Sequence, residues 1–276
     1  MAEAAAPPQD PLTEPGPWNA VAEGYDQELF NQTPTLTERA LSVLDVAPTS
    51  TVLDLGTGPG TFAVRAASKY EKVVAVDFAE QMIARLTAHL DAAGIRNVET
   101  RVMDGHALSF EDASFDAVAS LFGWFLFSDR ARALGGIRRV LRPGGRVLVT
   151  SWATPDRNTA FGASLEALRH ALPDLPRPAR PFPTQVPETC AEEVRNAGFT
   201  DVQTDIVTTK VEYESAAAYW NMMERAGAPM VVLRKRLGDE KFAATCAKAC
   251  EFLESKLGSG KVTLTLEAIY TSGTRG

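Results

Sequence analysis

Residues 51–60, TVLDLGTGPG, contain a short apolar run followed by three closely spaced glycines. The apolar run fits one buried strand, and the apolar spacing in residues 62–70 is typical of a helix. Glycine permits backbone conformations that other residues avoid, and the first turn of a helix presents unpaired N–H groups. This stretch therefore predicts a strand, a glycine turn and a helix whose backbone can approach a ligand closely.

Strand and helix patterns alternate on the C-terminal side of this turn. Four more apolar runs predict strands at residues 72–77, 98–104, 115–121 and 146–152, and helical patterns separate them. Continuously apolar strands must be covered on both faces, which is typical of a parallel sheet with right-handed crossovers. The fold class is therefore predicted to be α/β, with helices on both faces of the sheet.

The regions outside this alternation are organised differently. Residues 1–17 are rich in Ala, Pro and Glu and predict a disordered tail without signal-peptide features, followed by one domain over residues 18–276. Helical patterns precede the first strand, and mixed patterns follow the fifth. In chain order these are helices at 18–30, 35–46, 160–172 and 188–197, a strand at 200–211, a largely helical segment at 213–257 and a strand at 262–269.

Composition and charge restrict the classes of function. The net charge of −7 argues against a surface that binds nucleic acid, which needs clustered Lys and Arg. Three cysteines without a CxxC pair form no disulfide framework and fit the cytoplasm. Cys246 and Cys250 are one helical turn apart, but no nearby residues complete a metal site, so no metal is predicted. No apolar run approaches the roughly 20 residues that a membrane span needs.

Acidic residues near the ends of the first three predicted strands define a candidate site. Asp54 comes two residues before Gly56, while Asp77 and Asp104 end the second and third strands. The carboxyl ends of parallel strands share one edge, where Asp77 can accept ribose hydroxyls and Asp104 an adenine amine. The G-x-G-x-G spacing differs from the dinucleotide pattern, and Asp54 would repel a pyrophosphate but suits a cation. The pattern favours S-adenosylmethionine (SAM) over NAD.

Four segments resemble, in order, the motifs of class I SAM-dependent methyltransferases: VLDLGTGPG, VVAVD, VMDGHALSFEDASFDAV and RRVLRPGGRVLVTSW. They most resemble the branch that includes the ubiquinone- and menaquinone-biosynthesis methyltransferases. The resemblance implies a Rossmann-like, seven-stranded, mostly parallel sheet. It further implies that strand 262–269 runs antiparallel and pairs with strand 200–211, and that segment 213–257 forms a helical lid before that last strand.

The resemblance also implies which residues bind the cofactor. The helix at 18–30 would cover SAM, with Tyr25 near the SAM carboxylate. At residues 105–106 the chain has Gly-His where Ala-Glu is frequent in the family, which changes the contacts on the adenine side. The cofactor-binding residues predicted from motif and resemblance are Tyr25, Asp54, Gly56, Thr57, Gly58, Gly60, Asp77, Phe78, Met82, Asp104, Gly105, His106, Leu121 and Phe122.

Aromatic residues after the fourth and fifth strands predict an apolar wall for a methyl acceptor, with ordinary core packing as the alternative. The predicted acceptor-binding residues are Trp18, Trp124 and Trp152 and, from the lid that the resemblance implies, Tyr219, Trp220 and Met223. His89, His106 and His170 are not assigned as general bases. Methyl transfer from a sulfonium requires alignment and exclusion of water, so the catalytic residues stay unassigned.

The predicted function is SAM-dependent methylation of a small apolar or aromatic molecule, with attack through O, N or C left open. One alternative is an enzyme of the same fold that binds SAM and catalyses a pericyclic or decarboxylating reaction. Another is an NAD-dependent oxidoreductase or a non-catalytic nucleotide-binding protein, against which the glycine spacing counts. The expected partner is a small-molecule acceptor; the oligomeric state is not predicted.

Overall fold

The structure, a computed structural model, describes residues 10–30, 32, 34–175 and 182–276. Its strands are β1 (Thr51–Leu55), β2 (Lys72–Asp77), β3 (Val98–Val102), β4 (Phe115–Ser120), β5 (Leu141–Trp152), β6 (Phe199–Tyr213) and β7 (Val262–Arg275). They form a seven-stranded sheet in the order β3-β2-β1-β4-β5-β7-β6.

Helices precede, connect and follow these strands. They are α1 (Pro15–Leu29), α2 (Pro34–Leu44), α3 (Thr61–Ala66), α4 (Glu80–Ala93), α5 (Arg130–Val140), α6 (Thr159–Ala171), α7 (Pro187–Asn196), α8 (Ala216–Ala226), α9 (Ala228–Leu237) and α10 (Asp239–Leu257). Short 3-10 helices cover Pro11–Thr13, Trp124–Leu126 and Pro183–Gln185. Within the described ranges, no helix has the length and hydropathy needed to cross a membrane.

The sheet is parallel from β3 to β5 and antiparallel on both sides of β7. This confirms the predicted α/β class and the antiparallel strand implied by the family resemblance. Because β1, β2, β4 and β5 are parallel, their carboxyl ends lie at one edge of the sheet. The loops that carry the predicted site residues therefore start at a common edge.

Both faces of the central sheet are buried, as the continuously apolar strands require. Leu53 and Leu55 of β1 share a buried cluster with Ile137 of α5. Val52 shares the opposite cluster with Phe62 of α3. Side chains that alternate along one strand thus bury both faces of the sheet under helices.

A further helical layer lies beside the ends of β6 and β7. Helices α6, α8 and α10 contact one another, and their buried side chains share a cluster with β7. Trp220 of α8, Leu253 of α10 and Leu264 of β7 are among its members. Helices α8 to α10 occupy the segment 213–257, as the pattern predicted.

Strands β5, β6 and β7 are longer than their sequence patterns indicate, and the difference is largest for β5 and β7. Strand β5 begins at Leu141, whereas the predicted strand begins at residue 146. Phe115 pairs with Leu141 and Ala117 with Arg146, so three extra residues of β5 form a bulge in the ladder. Strand β7 continues to Arg275 because it is paired with β5 on one side and β6 on the other.

The N-terminal region differs from the predicted disordered tail over residues 10–17. A 3-10 helix follows Asp10, whose side chain accepts from the Leu12 N–H, and α1 begins at Pro15. The Trp18 ring N–H donates to the Leu12 carbonyl at 2.9 Å. These local bonds and the packing of Leu12 against α1 order the segment; residues 1–9 of the predicted tail lie outside the described residues.

Candidate cofactor and acceptor site

The glycine turn between β1 and α3 combines backbone conformations that favour glycine with open space at one position. Gly56, Gly58 and Gly60 have φ values of 72°, 55° and 93°, a region that favours glycine. A Cβ at Gly60 would lie 2.2 Å from Leu86 Cδ1, so this glycine allows α4 to pack closely. A Cβ at Gly58 would meet nothing within 4 Å, so the space beside this position is open to a ligand.

Asp77, at the end of β2, connects this turn to the start of α4. Its Oδ2 accepts from the Gly58 N–H at 2.8 Å, and its Oδ1 accepts from the Ala79 N–H at 2.9 Å. The residue is only 7% exposed. The predicted proximity of the second-strand acid and the glycine turn is therefore a direct hydrogen bond.

Asp54 lies under the same turn and is 1% exposed. Its Oδ2 accepts from the Thr57 hydroxyl at 2.6 Å. Burial raises the pKa of Asp54 to about 7, against the hydrogen bond from Thr57 and with the help of the Asp77 charge. Burial also raises the pKa of Asp77 to about 6, although the N–H groups of Ala79 and Gly58 oppose the rise.

Neither Asp54 nor Asp77 forms an ion pair with any of the residues described. Two buried carboxylates without a positive partner destabilise the charged state of both. A ligand that brings a positive charge and no phosphate would relieve this cost. The residues present, with open space at Gly58, therefore fit the ammonium and sulfonium of SAM.

Asp104 differs from the other two acids because its side chain is 61% exposed. Its Oδ1 accepts from the backbone N–H of His106 at 2.9 Å and lies 2.8 Å from His106 Nδ1. Asp104, the third predicted acid, is therefore hydrogen-bonded within its own loop, on the β3 side of the site.

Helix α1 covers the β2 side of the site. Val21 and Ala22 share a buried cluster with Met82, and Tyr25 and Phe78 pack against that cluster. Burial, reinforced by the charge of Asp77, raises the pKa of Tyr25 to about 12. The structure thus brings three predicted cofactor residues, Tyr25, Phe78 and Met82, together. Trp18 packs there too, edge-on to Tyr25 with ring centroids 6.3 Å apart, rather than near the other predicted acceptor residues.

Polar contacts fix α1 on two sides, and the sequence patterns did not reveal them. On the α4 side, Asp26 Oδ1 lies 2.6 Å from His89 Nε2. On the α8 side, Arg225 Nε donates to Glu28 at 3.0 Å. A Cβ at Gly24 would lie 2.3 Å from the Arg225 carbonyl oxygen, so α1 and α8 cross there in close contact. His89 is thus a contact of α1.

Three aromatic residues form what we call the aromatic platform: Phe122, Trp152 and Phe161. The rings of Phe122 and Trp152 stack with centroids 4.0 Å apart and planes 11° apart. Phe161 lies edge-on to Trp152 at 5.1 Å. Phe122 and Trp152 were predicted as site residues, whereas Phe161 was missed because its place in α6 gave no sign of this contact. Leu121, also predicted, is half-buried beside the sheet.

Other predicted acceptor residues lie inside hydrophobic cores. Trp124 is 1% exposed in the cluster that includes α5 and α7 residues. Tyr219 and Trp220 are 0% and 1% exposed, and the Tyr219 hydroxyl donates to the Ala160 carbonyl at 2.5 Å. Met223 is half-buried at the border of that helical cluster. For Trp124, Tyr219 and Trp220 the packing alternative describes the structure, because these large side chains fill space between layers.

The remaining chemistry-bearing residues include three cysteines and His170. Cys190, Cys246 and Cys250 are free thiols. No cluster of three or more His, Cys, Asp or Glu suited to a metal occurs in the part of the chain that the structure describes. His170 stacks on Phe252 of α10, with ring centroids 4.5 Å apart.

Known proteins resemble this chain in sequence. Residues 52–145 match the family described as a methyltransferase domain. The demethylmenaquinone methyltransferase of Thermus thermophilus is 40% identical over 121 residues, which cover 43% of this chain and 54% of that protein. The demethylmenaquinone methyltransferase of Corynebacterium efficiens is 32% identical over 173 residues, which cover 61% and 72%. The nocamycin O-methyltransferase of Saccharothrix syringae is 26% identical, over 85% and 89%.

The fold is shared with solved structures. Phosphoethanolamine N-methyltransferase 2 of Haemonchus contortus, in complex with SAM, superposes with a TM-score of 0.60 at 17% identity. The match covers all of this chain and 62% of that one. With the ordered motifs and the sequence relatives, this makes the chain a member of the class I SAM-dependent methyltransferases, in the branch of the quinone-biosynthesis enzymes, with SAM as its cofactor.

Proposed function

We propose that the chain methylates a small organic molecule with an apolar or aromatic face, bound against the aromatic platform. The observation that carries this proposal is the parallel stack of Phe122 on Trp152, with Phe161 edge-on. Aromatic rings at the wall of a pocket favour flat or apolar ligands, because they offer both apolar area and a stacking surface.

The platform adjoins the glycine turn through the backbone next to Phe122. A Cβ at Gly56 would lie 3.5 Å from the Cα of Gly123, so the loops after β1 and β4 touch. An acceptor against Phe122 would thus lie beside the end of the cofactor site that we assign to the methionine part of SAM. The closeness of the two sites supports transfer of a methyl group from the cofactor to the acceptor.

The names of the relatives support a small organic acceptor. Two of the relatives described above are named for demethylmenaquinone, and a third is named as an O-methyltransferase for nocamycin. The shared feature is an organic molecule rather than a macromolecule. We extend that class to this chain, with the attacked atom to be identified from the methylated product.

The cofactor-binding set predicted from the sequence is part of the proposal. Asp77 would accept hydrogen bonds from the ribose hydroxyls, and the negative charge of Asp54 would favour the ammonium end. When bound, SAM supplies a methyl group on a sulfonium, from which it leaves readily. The protein's part is to hold the acceptor in line and exclude water, and α1 serves the second task as a cover. No general base is assigned.

Binding and turnover measurements test the two halves of the proposal separately. Calorimetry with S-adenosylhomocysteine should show binding to the wild type and its loss in Asp77→Ala. A panel of small aromatic and apolar acceptors, assayed with labelled SAM, should yield a methylated product. If the wild type does not bind S-adenosylhomocysteine, the cofactor site is refuted. If it binds this compound but methylates no member of the panel, the acceptor class is refuted.

Variants of the platform provide the sharper test. Trp152→Leu and Phe161→Leu should raise the KM for the acceptor about 3- to 10-fold, the value of an aromatic contact, and change S-adenosylhomocysteine affinity little. Phe182→Leu is the control, because Phe182 is an exposed aromatic residue outside the platform. An unchanged KM in both platform variants would contradict the assignment.

The three free thiols also lead us to propose the cytoplasm as the compartment.

A further inference from the structure

His106 connects two loops on the β3 side of the site. It follows Asp104 and Gly105 in the loop after β3, and its ring lies edge-on to Phe127, with centroids 5.0 Å apart. Its Nδ1 lies 2.8 Å from Asp104 Oδ1. Its Nε2 lies 3.3 Å from the backbone nitrogen of Asp129, the residue that caps the start of α5. One imidazole therefore joins the loop after β3 to the helix after β4.

The partners of the two ring nitrogens determine where the proton lies. The Asp129 backbone N–H can only donate, so Nε2 must accept and carries no proton. The Ser128 hydroxyl, 3.4 Å from Nε2, can donate to the same nitrogen. An ionised carboxylate can only accept, so the proton of the neutral ring is on Nδ1 and is donated to Asp104. The geometry thus requires the neutral Nδ1–H tautomer.

The two carboxylate oxygens of Asp104 differ in their hydrogen-bond partners. Oδ1 accepts from both the backbone N–H and the imidazole of His106. Oδ2 has no hydrogen-bond partner among the described residues, and 61% of the side chain is exposed. Burial alone would raise the pKa of Asp104, but the two hydrogen bonds from His106 outweigh it and lower this pKa. Asp104 is thus an ionised carboxylate with one oxygen fixed and the other free.

We propose that His106 is a positioning residue for the cofactor: it holds Asp104 so that Oδ2 accepts the exocyclic amine of adenine. The inference rests on the proposed role of Asp104 in the cofactor site. It also explains the Gly-His pair that departs from the common family pattern. A Cβ at Gly105 would lie 2.5 Å from Phe127 Cζ, so glycine lets Phe127 pack against this loop and support the imidazole.

Adenine-amine selectivity tests this role independently of activity. The probes are S-adenosylhomocysteine and S-inosylhomocysteine, which has an oxo group in place of the amine. The wild type should prefer the amine, and His106→Phe should reduce that preference about 10-fold, because an aligned charge-assisted hydrogen bond is lost. His106→Asn should restore most of it, since its amide can donate from the Nδ1 position. His170→Phe is the matched control, a ring exchanged for a ring on α6.

The possible outcomes of the binding test overturn different parts of the proposal. Retention of full amine preference in His106→Phe would overturn the positioning role, and so would an equal loss in His170→Phe. A wild type that binds both probes equally would overturn the role of Asp104 itself. A wild type that binds neither probe would refute the cofactor site, which is a failure of the proposed function rather than of His106 alone.

The tautomer can be measured in the ligand-free protein. Histidine ¹⁵N spectra near neutral pH should show one ring with a protonated Nδ1 and an unprotonated Nε2, and this signal should be absent from His106→Phe. A proton on Nε2 in that ring would overturn the proposal. The tautomer is read from the wild type, and His106→Phe serves only to assign the signal. Thermal unfolding identifies a variant that folds poorly, and His106→Asn then provides the assignment.

Discussion

The backbone N–H of Phe122 donates a hydrogen bond to the hydroxyl of Thr150, 2.8 Å away. Phe122 has a φ of 57°, a conformation that is strained for any residue with a side chain. Thr150 is fully buried on β5, two residues before Trp152. The bond stabilises the backbone that lets the Phe122 ring stack on Trp152, so a hidden hydroxyl supports the aromatic platform.

Thr150→Val should therefore destabilise the protein and weaken acceptor binding. The shape of the side chain is kept, but the Phe122 N–H loses its partner at a cost of about 1–3 kcal/mol. Urea unfolding measures the loss, and the KM for the acceptor should rise. Thr150→Ser keeps the hydroxyl and serves as the control; equal stability of the Val and Ser variants would contradict this role of the bond.

Gly58→Ala and Gly94→Ala form a matched pair. Both glycines have a positive φ, 55° and 65°, and a Cβ at either position meets nothing within 4 Å. Each substitution should cost about 1–2 kcal/mol from backbone strain alone. Only Gly58→Ala should weaken S-adenosylhomocysteine binding, because its methyl group would enter the proposed cofactor space. Calorimetry that shows equal affinities for the two variants would refute that location.

The buried carboxylate of Asp54 should make stability depend on pH in a defined direction. The pKa of Asp54 is raised from 3.8 to about 7, so the folded state binds its proton more tightly than the unfolded state. The free energy of unfolding then falls as pH rises from about 4 to about 7, and this contribution is absent from Asp54→Asn.

Urea unfolding of the wild type and Asp54→Asn at pH 5 and pH 8 measures this effect. Relative to the variant, the wild type should lose about 2 kcal/mol between the two values. The variant should nevertheless bind S-adenosylhomocysteine less tightly, because it lacks the charge that we propose for the ligand ammonium. A stability difference that does not change with pH would show that Asp54 titrates normally.

Alanine substitutions at the two glycines of α1 should destabilise the protein to different extents. A Cβ at Gly24 would lie 2.3 Å from the Arg225 carbonyl oxygen, whereas a Cβ at Gly16 meets nothing within 4 Å. Gly24→Ala should force α1 away from α8 and destabilise the protein by about 1–3 kcal/mol. Gly16→Ala should cost less than Gly24→Ala, because its Cβ meets no neighbouring atom and bears only the restriction that Pro17 places on the preceding residue. Thermal unfolding that ranks them otherwise would contradict the close crossing.

The central strands were predictable because their signals are local. The apolar runs of β1 and β2 end at glycine and aspartate, and the structure has the predicted bounds for both, 51–55 and 72–77. Strand β7 was predicted to end at Ile269, yet it extends to Arg275. Its additional length comes from pairing with two other strands, which is a tertiary effect that no local pattern records.

The sequence predicted those residues of the candidate site that lie at or just after the ends of strands. Asp77 and Gly58 are 19 positions apart, and the parallel topology alone brings them into contact. Aromatic content was less informative, since Phe122 is near the proposed acceptor space while Trp124, two residues later, fills a core. The part played by Thr150 depends on a neighbouring strand, so it was visible only in three dimensions.

The position of β7 has a consequence for synthesis on the ribosome. Strand β6 is made before β7, yet β7, which also lies against β5, is the one strand that pairs with β6 among the residues described. Until β7 leaves the exit tunnel, the nascent chain therefore holds both β5 and β6 with open hydrogen-bonding edges, which are sites of aggregation. The three helices translated between β6 and β7 lengthen that interval.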